Sequence, residues 1–211
     1  MNTVVKKILA LSLISLSIAS TTFAHGVSPV KAFELSLHKL ESLIAQKKID
    51  KIFELSIQNL KMELIPTTDP NNDEEPAFKT TITLYPGADG TQKALVVILD
   101  EEGRKKGYET IKGANPVNAP VWSDKDSATL SEYALHYILD SAKTNPELDE
   151  INDGATGMTL SQGEIAPGVT GAIVDVITGK GKSSIKILIK QNGNILSSKI
   201  IPATMETNTN N

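Results

Sequence analysis

The sequence predicts an α+β protein of two tandem units, in each of which one amphipathic helix covers a four-stranded antiparallel meander. Apolar residues recur at helical spacing twice, and strands that alternate apolar and polar residues follow each time. The halves also match without a gap, since "KALVVILDEEGRKKGYETI" lies over "SSIKILIKQNGNILSSKII" at a shift of 90 residues. We expect a first unit at 25–111, a linker at 112–121, a second unit at 122–201 and a disordered tail at 202–211.

The first unit begins with a helix whose start is marked by Ser28 and Pro29, an N-cap hydroxyl followed by a proline at the first helical position. One face of this helix carries the apolar residues Phe33, Leu37, Leu40 and Ile44. An acidic, proline-rich loop at 66–76 interrupts the strands that follow. The predicted strands are 59–65, 77–85, 93–100 and 107–111.

The helical pattern restarts after the linker. Ser123 and Asp126 have capping-box-like spacing. An apolar stripe through Leu130, Tyr133 and Tyr137 aligns with the first helix at a shift of 93 residues. The predicted strands of this unit are 155–165, 170–178, 183–190 and 194–201.

Residues 1–24 have the pattern of a cleaved secretory signal peptide. Lys6 and Lys7 form a positively charged start, and "ILALSLISLSI" is an apolar stretch of 11 residues, too short to cross a bilayer as a helix. Thr22 and Ala24 occupy the small-residue positions of a cleavage site. We expect cleavage after Ala24 and a periplasmic or secreted protein; a retained membrane anchor is the less favoured alternative.

Composition narrows the classes of function. Loss of the signal peptide removes two lysines and no acids, which leaves 19 basic and 25 acidic residues and a formal net charge of −6. This charge argues against nucleic acid or an anionic membrane surface as the partner, since both require a positive patch. The chain has no cysteine, so the core must stabilise an exported fold without disulfides.

The stretch "TGKGKSS" at 178–184 has the glycine, lysine and serine of a phosphate-binding loop. Such a loop requires G-x-x-x-x-G-K-[ST] between a strand and a helix, because the helix N-terminal amides hold the phosphate. Here Val176 occupies the position of the first glycine, and a β-branched strand follows. We therefore interpret the stretch as a hairpin turn and not as a nucleotide site.

His25 is the first residue after the predicted cleavage site. An N-terminal histidine can bind copper through its amine and ring, which resembles the histidine brace of lytic polysaccharide monooxygenases. That brace needs a second histidine, and the remaining two, His38 and His136, lie on predicted helices. The monooxygenase fold is also a β-sandwich, so a solvated terminus is the favoured interpretation.

Asp69, Asn71 and Asp73 have the spacing of the first three calcium ligands of an EF-hand loop. Glu74 replaces the required glycine, and Thr80 replaces the bidentate glutamate. A solvated acidic loop is therefore favoured over a calcium site.

"NDGATGMT" at 152–159 resembles the Ser/Thr-Gly-Ala-Thr attachment motif of covalent flavin-binding periplasmic domains, with Thr156 as the attachment residue. Asp153 replaces the hydroxyl residue of the motif, and Glu150 replaces its aspartate. We favour a turn that enters a strand.

Four aromatic residues lie near the linker and the second helix: Tyr108, Trp122, Tyr133 and Tyr137. Packing in the core or between the units is the simpler interpretation, and a groove for an apolar or peptide ligand is the functional one. No serine lies in a G-x-S-x-G context, and the acids show no recognisable paired spacing, so the sequence predicts no catalytic residues.

The end of the first unit, "VVILDEEGRKKGY", is similar to the last hairpin of PepSY-type units of exported bacterial proteins. Asp100, Gly103 and Tyr108 match the ending of such units, in which a strand that ends in Asp turns through Gly into the final strand. The second unit has Lys190 in place of the Asp and retains Gly193. The resemblance implies PepSY/cystatin-like units and a binding or inhibitory module of the cell envelope without catalytic residues.

These observations predict an exported, non-enzymatic binding or interaction module of the cell envelope that modulates a protein or peptide partner. We expect no cofactor and no stable membrane insertion after cleavage. Exposed final strands such as "ILSSKII" provide an edge to which a partner strand can add. The alternative is a periplasmic redox accessory protein that carries a metal or a flavin.

Overall fold

The computed structural model describes residues 26–66, 76–117, 119, 126–179 and 182–203. The helices are α1 (Pro29–Ala45), α2 (Ile52–Leu55), α3 (Ser127–Ala142) and α4 (Pro146–Gly154). The strands are β1 (Ile57–Pro66), β2 (Pro76–Leu84), β3 (Ala94–Leu99), β4 (Lys105–Ile111), β5 (Ala155–Ala166), β6 (Val169–Thr178), β7 (Ser184–Lys190) and β8 (Ile195–Ile201).

All eight strands form one antiparallel sheet in the order β4-β3-β2-β1-β5-β6-β7-β8. The expectation of two tandem helix-plus-meander units is therefore wrong, because β1 and β5 pair with each other through Asn59–Thr159, Leu60–Met158 and Lys61–Gly157. The alternation of apolar and polar residues fixes which face a side chain occupies, but it does not say which strand lies alongside. This pairing joins distant segments over three residue pairs, so it leaves no local pattern in the sequence.

The helices form a single layer on one face of the sheet. α1 packs against α3 and α4, and the same helices contact strands from both halves of the sheet. Alternate residues of β7 point into this shared core, since Ile185, Ile187 and Ile189 are buried while the lysines and leucine between them are partly exposed. Burial of one such side chain contributes about 1.5–3 kcal/mol, so this buried row fixes which face of β7 meets the helices.

The start of the first helix is confirmed at the level of single atoms. The Ser28 hydroxyl accepts a hydrogen bond from the amide of Lys31 at 3.2 Å, and Pro29 is the first helical residue. α3 begins differently, because its N-cap is Asp126, whose carboxylate accepts from the amide of Thr129 at 2.8 Å. Ser123, which the sequence paired with Asp126, lies outside the described residues.

The hairpin interpretation of "TGKGKSS" is confirmed, since β6 and β7 flank the stretch and pair with each other. The Thr178 hydroxyl donates to the carbonyl of Ser183 at 2.6 Å and closes the turn. The first part of the predicted linker is bound to the first half of the chain: Gly87 bridges Pro116, and the amide of Ala114 donates to Thr91 Oγ1 at 2.8 Å.

The predicted signal peptide lies outside the described residues. None of the helices described above is long and apolar enough to cross a membrane.

Candidate functional site

β8 forms one edge of the sheet, and within the described residues no strand pairs with its outer side. Leu196 and Ile201 of this strand leave 38% and 41% of their surface exposed, and Lys199 is its only charged residue. β4, at the opposite edge, carries Lys105, Lys106 and Glu109. Because charged side chains on an edge strand discourage the pairing of another chain, β8 is the edge that is more open to strand addition.

The sheet face opposite the helices is broad and mostly polar. Lys61 and Lys79 both pair with Glu63 on this face, at 2.9 and 3.1 Å, and Lys186 pairs with Asp175 at 3.4 Å. One transverse row of paired residues crosses all eight strands: Ile111, Ala94, Thr83, Asn59, Thr159, Asp175, Lys186 and Lys199. At a strand spacing of about 4.8 Å this face is about 34 Å wide. Lys61, Lys79, Glu63, Lys186 and Asp175 thus pair with one another on this face.

Two of the predicted groove residues lie together beside β8. The hydroxyl of Tyr137 forms a 2.7 Å hydrogen bond with the hydroxyl of Ser198. The ring of Tyr133 lies over the β7–β8 turn, where a Cβ atom on Gly193 would come within 2.7 Å of it. Tyr133 and Tyr137 therefore brace the edge strand from the helix layer.

Tyr108 lies far from this pair, on β4 at the opposite edge of the sheet. The ammonium group of Lys105 stands 4.3 Å from the centre of its ring, a cation–π contact. The structure thus does not place Tyr108 in one groove with Tyr133 and Tyr137. Trp122, the fourth predicted groove residue, lies outside the described residues.

The predicted metal candidates His25, Asp69, Asn71 and Asp73 also lie outside the described residues. Thr156, the flavin candidate, sits at an irregular step in the β5–β6 pairing, between Ala155 and Gly157. Its hydroxyl is 3.5 Å from the carbonyl oxygen of Ile177.

Sequence reasoning missed a cluster of two carboxylates and two imidazoles between α1 and α3. Glu34 contacts His136 across the two helices, and Glu132 Oε1 lies 3.5 Å from His38 Nε2. The signal was present in the sequence, because "ELSLH" (34–38) and "EYALH" (132–136) both read Glu-x-x-x-His. Residues four apart share one helix face, so each helix presents a carboxylate and an imidazole to its neighbour.

The two carboxylates differ in proton affinity. Burial would raise the pKa of Glu34, whose side chain is only 3% exposed, but hydrogen bonds and charge from Lys31 and His136 hold that pKa below its ordinary value. Burial raises the pKa of Glu132 to about 7, and four neighbouring carboxylates add to the effect. Those carboxylates belong to Glu41, Glu34, Asp126 and Glu54. Within the described part of the chain, the buried Oε1 atom of Glu132 accepts no hydrogen bond.

This cluster can exchange protons near neutral pH, because Glu132 is about half protonated there. Across the described ranges, no three His, Asp or Glu side chains come together in a way that could hold a metal ion. The four residues form two separate pairs, and each pair joins one carboxylate to one imidazole.

Comparison of the chain with protein-family models, with curated proteins and with solved structures finds no match.

Proposed function

We propose that this protein is an exported, non-enzymatic binding module of the cell envelope that receives a segment of a protein partner as an added strand at β8. The observation that carries the proposal is the open edge of β8, which has one charge and two exposed apolar side chains. A partner strand would gain main-chain hydrogen bonds from the edge and specificity from alternate side chains. The proposal of export follows from the pattern of residues 1–24.

The support behind β8 favours binding over unspecific aggregation. The hydroxyl contact between Tyr137 and Ser198 fixes the strand to α3, and the ring of Tyr133 covers the turn that precedes the strand. A preformed edge loses little conformational entropy when a partner strand adds to it. The protein would therefore bind its partner without first rearranging its own sheet.

Site-specific photocrosslinking in the native host tests the proposal. A photoreactive residue is placed at Ser197 on β8 or, as the matched control, at Thr110 on β4. We expect a discrete covalent adduct with one protein from position 197 and none from position 110. Equal adducts from both positions, or no adduct from position 197, would contradict strand addition at β8.

A double variant that adds positive charge to β8 tests the proposal independently. Leu196→Lys combined with Ile201→Lys places two positive charges on the edge at exposed positions, so the fold should survive. We expect the adduct at position 197 to disappear in this variant and to persist in Tyr108→Lys, which alters the β4 edge.

The mass and the absorbance spectrum of the exported protein test two further parts of the proposal, the export and the choice against a redox function. A mass equal to residues 25–211 supports cleavage after Ala24. A flavin chromophore, or stoichiometric copper that is lost on substitution of His25, would instead establish the redox alternative.

A further inference from the structure

A cavity of about 240 Å³ opens at the β4 end of the sheet, between the chain that follows α1 and the ends of β3 and β4. This volume is many times the roughly 10–15 Å³ that the centre of one water molecule requires, so the cavity has room for a small ligand. Phe53, Ile49 and Ile111 supply the apolar part of its lining. Phe53 is buried, whereas Ile111 leaves 46% of its surface exposed at the mouth.

Three lysines from separate parts of the chain reach the same cavity. Lys48 follows α1, Lys93 precedes β3 and Lys112 follows β4. The side-chain amide oxygen of Asn115 contacts the ammonium group of Lys93 and holds it in place. Within the described ranges none of the three lysines forms an ion pair with a carboxylate.

One carboxylate, that of Asp50, also lines the cavity. Its Oδ1 atom accepts a hydrogen bond from the amide of Ile52 at 2.9 Å, so it is engaged at the start of α2. The charge of Lys48 also acts beyond the cavity, because burial lowers the pKa of Lys105 at the start of β4, and the charges of Lys39 and Lys48 lower it further. The cavity therefore carries a local excess of positive charge in a chain whose net charge is −4.

We propose that this cavity binds a small amphipathic carboxylate, such as a medium-chain fatty acid, whose head group meets the lysines and whose alkyl chain contacts Phe53, Ile49 and Ile111. Lysine ammonium groups act as point charges and accept an anion in many orientations, so they require no planar head group. The apolar lining requires an apolar body, which distinguishes this ligand from a simple inorganic anion. The site lies at the β4 end of the sheet and is separate from the proposed β8 edge.

A titration of the full exported chain by two-dimensional amide NMR tests the proposal. The probe is sodium octanoate below its micellar range, at pH 7.5 and low ionic strength. We expect saturable shifts at the amides of residues 48–53, 93 and 110–112. Octylammonium, with the same tail and the opposite charge, and acetate, with the head group alone, should not saturate these amides. Inorganic phosphate should bind more weakly than octanoate.

Paired substitutions connect the binding to the named residues. Lys48→Gln with Lys112→Gln should weaken octanoate binding roughly fivefold or more, since each near-surface charge contact contributes a modest amount. Ile111→Ser, at an exposed position, should weaken it through loss of apolar contact. Lys190→Gln with Lys199→Gln removes the same charge at the opposite edge and should leave the affinity unchanged.

Three results would overturn the proposal. The first is an affinity for octylammonium or for phosphate equal to that for octanoate. Equal affinity for octylammonium would mean that the head group is not recognised, and equal affinity for phosphate would mean that the tail is not recognised. Shifts spread over the whole sheet would indicate unspecific adsorption. An unchanged affinity in the Lys48 and Lys112 double variant would show that the ligand lies elsewhere.

Discussion

Glu34 of α1 contacts His136 of α3, and one helical turn further along the interface Glu132 of α3 faces His38 of α1. The order is reversed between the two helices, so they run antiparallel and each supplies one acid and one base. Glu34 is buried and fully partnered, whereas the nearer oxygen of Glu132 is 3.5 Å from its imidazole. Both pairs join a glutamate to a histidine, but the pKa of Glu34 is lowered whereas that of Glu132 is raised.

We expect Glu34→Gln to lower the free energy of unfolding at pH 7.5 by about 1–3 kcal/mol, since the buried site loses its charged contacts with Lys31 and His136. The pKa of Glu34 is held below its ordinary 4.5 in the folded protein. Its stabilising effect is therefore present above that value and is lost as pH falls through the folded pKa. Urea unfolding at pH 7.5 and at about pH 3.5 should show the difference from the parent shrinking in acid. A constant difference would contradict the pairing.

We expect Glu132→Gln to behave in the opposite way. The pKa of Glu132 rises from 4.5 to about 7 on folding, so the folded state holds a proton that the unfolded state releases between these values. The parent therefore loses stability as pH rises from about 4.5 to 7, and the neutral amide does not. The variant should match the parent near pH 4 and exceed it at pH 8 by about 1–2 kcal/mol, with allowance for partial exposure. Parallel pH profiles of the two proteins would refute the raised pKa.

Ser127 connects the second half of the chain to the first. Its hydroxyl accepts from the amide of Ile57 and donates to the carbonyl of Glu54, both at 2.8 Å. We expect Ser127→Ala to cost about 1–3 kcal/mol, because the buried amide of Ile57 loses its acceptor. Ser131→Ala is the matched control: this equally buried hydroxyl donates only to a carbonyl of its own helix, so its removal should change stability by less than about 0.5 kcal/mol. Equal effects in chemical denaturation would argue against the role of Ser127.

The β7–β8 turn permits a test of the contact between α3 and the edge strand. Gly193 has φ +91°, and a Cβ atom there would lie 2.7 Å from the ring of Tyr133. Gly193→Ala should cost about 2–3 kcal/mol through backbone strain and overlap with the ring. Gly90, at φ +76° with open space around it, reports the strain alone, and Gly90→Ala should cost about 1 kcal/mol. If thermal unfolding shows equal losses, the ring does not restrict the turn.

Local features of the fold were predictable from the sequence. The predicted strand at 155–165 corresponds to β5 and that at 170–178 to β6, because alternation and turn residues are encoded in neighbouring positions. The cap at Ser28 was predictable for the same reason. α4 was not predicted, since its short acidic sequence carries only two buried apolar residues, Leu148 and Ile151.

Relationships between distant segments were not predictable in the same way. A shift of 93 residues aligned the two helices by their apolar stripes, whereas a shift of 98 places Glu34 over Glu132 and His38 over His136. Apolar positions recur every three or four residues, so such a stripe fits several registers equally well. The Glu-x-x-x-His pair recurs less often than apolar positions, so it marks the correspondence between the two helices more specifically. Its role becomes visible only in the contact between α1 and α3.

The central position of β1 has a consequence for biosynthesis. Translation completes β1 to β4 before any residue of β5 leaves the ribosome, and β5 is the only described neighbour of β1 on that side. The segment of β1 that pairs with β5, residues 59–61, therefore lacks its partner on that side during the synthesis of about ninety further residues. The nascent chain is most vulnerable to wrong pairing in that interval, and a holding chaperone would matter most there.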